Sequence, residues 1–96
     1  MKKTKRGIKR SKDFKRSLKS AKKSGKNIAL LWTIIENLAN DIPLAPSYRD
    51  HELGGNLRGH RECHITPDWL LVYRKTDKNQ LILHLISLGS HSSLGF

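Results

Sequence analysis

The chain has 96 residues, enough for one domain with a modest hydrophobic core, and its 19 Lys and Arg against 8 Asp and Glu give a net charge of +11. A single cysteine excludes an intrachain disulfide bond, which is typical of proteins in a reducing compartment. No apolar run is longer than residues 28–32, so we expect neither a membrane-spanning helix nor a secretion signal and predict a soluble cytoplasmic protein.

Positive charge is concentrated at the start of the chain. Residues 1–26 contain thirteen Lys or Arg and one acid, whereas residues 27–96 contain six bases and seven acids. A flank this basic attracts the phosphate backbone of nucleic acids, because binding releases condensed counterions and the field speeds encounter. The alternative is a solvated helix whose lysines only maintain solubility. We favour phosphate binding, because so high a charge repels itself when no partner is present.

Two helices are predicted in the first half of the chain. Residues 1–6 are expected to fray, and residues 7–10 to form a short edge strand. Ser11 is a suitable N-cap for the first helix, which ends at Gly25 after a narrow apolar stripe. A second helix is predicted over residues 28–39. The rest of the first helix forms the predicted RNA-binding surface, here named the basic face: Lys12, Lys15, Arg16, Lys19, Lys22 and Lys23.

The second half of the chain changes to strand periodicity. Alternating or apolar runs predict strands at residues 59–65, 69–74 and 81–88. The short links between them predict an antiparallel meander. Helices followed by strands indicate an α+β fold, in which two N-terminal helices pack on a twisted antiparallel sheet. We assign residues 1–96 to a single domain.

All five histidines lie in this second half. Along strand 59–65 side chains alternate, so His60, Glu62 and His64 share one face and Cys63 points to the other. Cys63 therefore cannot join these histidines in a metal site or a catalytic pair, and no CxxC motif indicates structural zinc. We predict no metal and no cofactor. His84 stands in an apolar strand and is interpreted as a structural residue with one satisfied hydrogen bond.

Histidines beside a polycationic flank indicate an enzyme that acts on nucleic acid, because imidazole moves protons near neutral pH. RNA cleavage needs no cofactor: the 2′-hydroxyl attacks the adjacent phosphorus, one imidazole takes its proton, and another protonates the leaving 5′-oxygen. A further cation stabilises the charge that develops on the phosphate. Trp69 is predicted either to stack on an exposed RNA base or to fill the core.

Three segments of the sequence carry a family pattern. They are Asp50-His51-Glu52-Leu53, the run over residues 59–73 that contains His64-Ile65-Thr66-Pro67-Asp68-Trp69, and Leu88-Gly89-Ser90-His91-Ser92-Ser93-Leu94. Together they resemble the YafQ-like branch of the RelE/ParE superfamily of bacterial type II toxins. The resemblance covers nearly the whole chain, and the three segments together are more specific than any one of them.

The resemblance implies a RelE-like domain and a ribosome-dependent endoribonuclease toxin that cleaves mRNA. It implies ribosomal RNA, mRNA and a cognate antitoxin as partners; we expect the antitoxin to be acidic and partly disordered. We expect His91 to be the general acid, His51 or Asp68 to be the base, and His64 to stabilise the phosphate. The residues that match the family pattern are His51, His64, Asp68 and His91 for catalysis, with Trp69 and Phe96 for RNA binding; Phe96 stands one place later than in the pattern.

Two other functions remain open from the sequence. A non-catalytic RNA-binding or ribosome-associated protein would explain the positive charge but leaves the histidines without a role. A gyrase-poisoning toxin would belong to the same superfamily, but members of that type typically lack this set of histidines. Cleavage of translated mRNA, in the presence and absence of ribosomes, distinguishes the enzyme from both.

Overall fold

The computed structural model describes residues 3–94, in which five strands form one sheet. Two short 3-10 turns, Pro46–Tyr48 and Gly55–Leu57, flank the second strand. Within residues 3–94, no helix combines the length and the apolar character that a membrane crossing requires. In chain order the elements are β1 (Gly7–Arg10), α1 (Lys12–Lys23), α2 (Ile28–Ala39), β2 (His51–Glu52), β3 (Arg61–Thr66), β4 (Trp69–Thr76), β5 (Ile82–Gly89) and α3 (His91–Leu94).

The strands lie in the order β1-β5-β4-β3-β2. Strands β2 to β5 pair antiparallel with their neighbours, which confirms the predicted meander within an α+β fold. The predicted edge strand over residues 7–10 is present, but it pairs with β5 in parallel, so the sheet is mixed rather than wholly antiparallel. Parallel pairing is possible because both long helices and the rest of the meander separate β1 from β5, whereas a tight turn would have forced an antiparallel pair.

Helix α1 is defined by its cap and by one apolar stripe. The Ser11 hydroxyl accepts the N–H of Phe14 at 2.9 Å and donates to the carbonyl of Ile86 at 2.6 Å, so the cap both begins the helix and ties it to β5. Phe14, Leu18 and Ala21 are buried, as the stripe predicted. All six residues of the basic face are exposed, because they occupy the rest of the helix surface.

Both long helices contribute to one hydrophobic core on one face of the sheet. Helix α2 buries five apolar side chains, and each large one contributes roughly 1.5–3 kcal/mol to stability. Leu70 and Val72 are buried as well, but they alternate with core residues along β4 and therefore face the opposite side of the sheet. The strands supply Cys63, Ile65, Trp69, Leu71, Tyr73, Leu83, Leu85 and Leu88 to the core.

The expectation that residues 1–6 fray is wrong at Arg6, and the first two of these residues lie outside the described part of the chain. The Arg6 side chain is only 8% exposed, and its guanidinium donates to Asp41 at 2.8 Å and to Asp77 at 2.7 Å. Lys75 also donates to Asp41, at 2.8 Å. The hydrogen bond from Arg6 is the largest of the effects that hold the pKa of Asp41 well below its ordinary value. Sequence patterns miss this network because its acids lie 35 and 71 residues from Arg6.

We predict that Asp41→Asn lowers the free energy of unfolding by about 1–3 kcal/mol at neutral pH, because Arg6 and Lys75 lose a charged acceptor. The pKa of Asp41 is lower in the folded chain than in the unfolded chain, where it is about 3.9. The contribution of the Asp41 charge to stability is therefore complete above about pH 3.9 and is lost as the pH falls below that value.

Urea denaturation of the wild-type and variant proteins between pH 6 and pH 3 measures this difference in stability. The difference should narrow toward pH 3. Asp13→Asn is the matched control, since Asp13 forms only an exposed pair with Arg16 at 3.7 Å, and it should change stability little. A difference that stays constant across this pH range would contradict the role of the Asp41 charge.

Candidate active site

Four of the side chains predicted to carry the chemistry meet at one end of the sheet. His51 comes from β2, His64 from β3, Asp68 from the turn between β3 and β4, and His91 begins α3. The ring centroids of His51 and His64 are 6.3 Å apart, and those of His64 and His91 are 5.4 Å apart. Asp68 Oδ1 lies 3.5 Å from His91 Nδ1. We call these four residues the active-site cluster.

Strand register explains why these residues meet. His64 of β3 lies opposite Leu70 of β4, and Leu70 lies opposite Gly89 of β5. His91 follows Gly89 by two residues, so the first turn of α3 brings its imidazole next to His64. Cys63 is part of the hydrophobic core, as strand alternation predicted, and His64 is therefore on the face of the sheet away from it.

The orientation of His51 is set by a backbone carbonyl group. Its Nδ1 lies 2.7 Å from the carbonyl oxygen of Arg49. Because a carbonyl oxygen can only accept, Nδ1 carries the proton of the neutral ring, and Nε2 keeps a free lone pair. Nε2 is directed to the cluster, where it lies 3.6 Å from Glu62 Oε1. A lone pair on this side of the ring is what a general base requires.

The residue before His51 is anchored to the sheet. The Tyr73 hydroxyl donates to Asp50 Oδ1 at 2.5 Å, and Arg61 Nε donates to the same oxygen at 3.3 Å. The pKa of Tyr73 is raised above its ordinary value, first because the phenol is buried and then because it donates to this carboxylate. Holding Asp50 at two points fixes the start of β2 and, with it, the position of His51.

Glu62 is a site residue to which the sequence assigned no role. It pairs with His51 across the β2–β3 ladder, and its side chain is only 5% exposed. Its Oε1 lies 3.6 Å from Nε2 of both His51 and His64, and its Oε2 has no hydrogen-bond partner within residues 3–94. The alternation of β3 indicated that it shares a face with His64. The pattern could not indicate its burial, which depends on the neighbouring strands.

Trp69 and His84, two other residues that the sequence singled out, lie outside the active-site cluster. Trp69 is 3% exposed and belongs to the core, so in this structure its ring is not available to stack on an RNA base, and the core alternative describes it. His84 Nε2 makes one hydrogen bond, 3.1 Å long, with the hydroxyl of Thr76, as expected for a structural residue. Burial is the main cause that lowers the pKa of His84. Phe96, predicted to bind RNA, lies outside the described residues.

The helix that carries the basic face borders the active-site cluster. A cavity of about 330 Å³ lies between them, and α1 lines one side of it with Ser17, Ser20 and Ser24. The other side includes Asp68 of the cluster and Ser90, which precedes His91. Lys26, which follows α1, also lines this cavity.

A sequence profile of a known family matches almost the entire chain. The family is described as bacterial toxin of type II toxin-antitoxin system, YafQ, and the match covers residues 6–95. The chain belongs to the YafQ family. The mRNA interferase toxin YafQ of Escherichia coli (strain K12) is 36% identical to it over 90 residues, which are 93% of this chain and 95% of that relative.

Solved structures of similar sequence share the YafQ fold. YafQ from E. coli strain BL21(DE3) has a TM-score of 0.84 at 34% identity, covering 93% of this chain and 97% of that chain. A metal-bound toxin from Helicobacter pylori has a TM-score of 0.85 at 48% identity, covering 92% and 97%. The E. coli DinJ-YafQ toxin-antitoxin complex has a TM-score of 0.84 at 35% identity, covering 94% and 97%.

Three side chains at the site could hold a metal ion in this YafQ family member. Glu62, His64 and His91 each offer one ligand atom, and these atoms lie within 4.8 Å of one another. A carboxylate oxygen with two imidazole nitrogens suits zinc and other late first-row metals. Cys63 is excluded as ligand and nucleophile, because it is fully buried and burial raises the pKa of its thiol to about 12. That the chemistry needs no metal stays a prediction.

Proposed function

We propose that this chain is an mRNA interferase toxin, a ribosome-dependent endoribonuclease that cleaves mRNA through attack of a 2′-hydroxyl on the adjacent phosphorus. The observation that carries the proposal is the convergence of three imidazoles and a carboxylate, with neighbouring rings 5.4 and 6.3 Å apart, beside an exposed basic helix. The name of the E. coli relative, mRNA interferase toxin YafQ, supports the same reaction.

The geometry supports separate roles for the imidazoles. His51 is the base, because its Nδ1 is engaged by a backbone carbonyl and its Nε2 is free to take the proton of the 2′-hydroxyl. His64 lies between the other two rings, so as an imidazolium it stabilises the charge on the phosphate. His91 is on the far side of His64 from His51, and it protonates the leaving 5′-oxygen.

Asp68 and Glu62 act on the imidazoles from two sides. Asp68 Oδ1 lies 3.5 Å from both the backbone nitrogen and Nδ1 of His91, so it orients the acid more readily than it serves as the base. Glu62 faces both His51 and His64, and its Oε1 lies 3.6 Å from Nε2 of each ring. Both carboxylates therefore position imidazoles, and neither takes a proton from the substrate.

The ribosome and an antitoxin are the proposed macromolecular partners. The basic face of α1 would dock on ribosomal RNA and carry the cluster to the mRNA, which confines the activity to the cytoplasm. YafQ of E. coli has been solved in complex with DinJ. We propose an acidic, partly disordered antitoxin for this chain, because a partner of that charge complements the excess of bases in residues 1–26.

Removal of either the His91 or the His64 imidazole should abolish most of the cleavage. We expect His91→Ala and His64→Ala each to lower the rate by about 10²–10⁴-fold while the fold and ribosome binding persist. Primer extension on a translated mRNA, with and without ribosomes, measures the rate. His84→Gln, a change outside the cluster, is the control and should cleave normally. Cleavage at wild-type rates by both variants would refute the assignment.

The role of the Glu62 carboxylate can be tested with a side chain of the same shape. Glu62→Gln should slow cleavage, because a neutral amide replaces the carboxylate oxygen that lies 3.6 Å from two imidazoles and positions them. Glu36→Gln, on α2 and outside the linings of both cavities beside the cluster, provides the matched control. Cleavage by Glu62→Gln at the wild-type rate would contradict this positioning role.

Docking on RNA should depend on the lysines of the basic face. We expect the triple change of Lys15, Lys19 and Lys22 to Gln to weaken ribosome binding and to reduce its salt dependence, since each lost phosphate contact removes roughly 0.7–0.9 from the slope of log K against log salt. Cosedimentation with ribosomes at several salt concentrations gives this slope. Lys78→Gln is the control, because it lies by the β4–β5 turn, at the opposite end of these strands from the cluster. An unchanged slope in the triple variant would exclude this docking surface.

A further inference from the structure

A second cavity opens on the other side of His64. Its volume is about 420 Å³, within the range of 300–1,000 Å³ that is typical of ligand sites. It lies between the first turn of α2, the 3-10 turn Pro46–Tyr48 and the end of β3. The mechanism uses only one of its wall side chains, His64, together with the backbone carbonyl of Arg49, so the other side chains of the wall have no role in acid–base chemistry.

The wall combines apolar, aromatic and hydrogen-bonding groups. Leu30, Ile65 and Pro67 supply apolar surface, and Tyr48 supplies an aromatic ring. Ser47 and Arg49 add a hydroxyl and a guanidinium, and Arg49 is exposed to solvent. A nucleobase uses this combination: its face stacks on aromatic or guanidinium planes, and its edge accepts and donates hydrogen bonds. The guanidinium also complements the charge of the attached phosphate.

The position of the cavity assigns it to one side of the cut. Arg49 lines it and also accepts the hydrogen bond from His51 Nδ1 through its carbonyl oxygen. The cavity therefore adjoins the base of the mechanism, whereas His91, the acid, lies by the cavity next to α1. The base acts on the nucleotide that carries the attacking 2′-hydroxyl, which is the nucleotide on the 5′ side of the cut.

The turn that supplies these groups is held in a defined shape. Pro46 begins it, and the N–H of Arg49 donates to the Pro46 carbonyl at 3.0 Å. Arg49 has a φ of 47°, a left-handed conformation that is uncommon for residues other than glycine. Strained backbone of this kind concentrates at functional sites, where the surrounding structure maintains it. Asp50, the residue after Arg49, accepts two hydrogen bonds and so fixes this end of the turn.

We propose that this cavity binds the nucleobase of the mRNA nucleotide immediately 5′ of the cut, and that it sets which base stands at that position. The inference rests on the proposed endoribonuclease activity and adds to it a site of base selection. Tyr48 supplies the stacking surface, and Ser47 and Arg49 supply the polar contacts.

Direct binding tests the cavity without any cleavage. Each of the four nucleoside 3′-monophosphates is titrated into the wild-type protein and followed by amide chemical shifts. We expect the largest shifts at Leu30, Tyr48 and Ile65, with one base preferred. Tyr48→Leu should weaken binding about 10-fold, as loss of one stacking contact does. Shifts confined to the cavity next to α1 would overturn the proposal.

Sequencing of the 3′ ends of cleaved mRNA on ribosomes tests base selection. Tyr48→Leu, Ser47→Ala and Arg49→Gln should each change the distribution of bases just 5′ of the cut. Trp32→Leu is the matched aromatic control, since Trp32 is also partly buried against the core but lines neither cavity, and it should keep the wild-type distribution. Arg49→Gln alters no core contact, so it tests the proposal even where Tyr48→Leu lowers the melting temperature.

The outcomes separate this inference from the function on which it rests. If the wild type cleaves mRNA and all three cavity variants keep its base distribution, the cavity does not select the base, while the proposed function stands. If the wild type does not cleave translated mRNA but nucleotides still shift Tyr48 and Ile65, the endoribonuclease assignment fails and a nucleotide site remains.

Discussion

The antiparallel register of β3, β4 and β5 is the constraint on which the candidate active site depends. It aligns His64, Leu70 and Gly89 across three strands, and so delivers His91 to its neighbours. A slip of one residue in β3 would turn His64 into the core and expose Cys63. Core packing prevents that slip, because the apolar side chains of β3 and β4 are buried only in this register.

Charge is divided between two functions in neighbouring parts of the molecule. The six bases of the basic face are exposed, and within residues 3–94 only Arg16 among them pairs with an acid, the exposed Asp13 at 3.7 Å. The histidines of the active-site cluster, by contrast, lie beside specific oxygen atoms: the Arg49 carbonyl is 2.7 Å from His51, Glu62 is 3.6 Å from His64 and Asp68 is 3.5 Å from His91. Exposed cations suit the attraction of a polyanion over a distance, whereas imidazoles in a defined geometry suit proton transfer.

Local patterns predicted both long helices and strands β1, β3, β4 and β5, but they missed β2 and α3, which were expected to be loop and tail. The helix over residues 28–39 and the cap at Ser11 have the predicted bounds, because capping and a 3.6-residue apolar period act within one or two turns. The strands are within two residues of their predicted ends, since alternation is also a local signal. The prediction that the start of the chain frays was wrong at Arg6, because the acidic partners of Arg6 come from loops that are distant in the sequence.

The sequence by itself determined the α+β class, the basic face, the opposite directions of Cys63 and His64, and, through the family pattern, which residues to expect at a site. Only the tertiary structure decided that these residues meet, that Glu62 is buried between two imidazoles and that Trp69 is in the core. The same holds for the cavity beside Tyr48. The reason is physical: burial and proximity depend on the register and packing of strands and loops far apart in the chain, whereas periodicity reports only near neighbours.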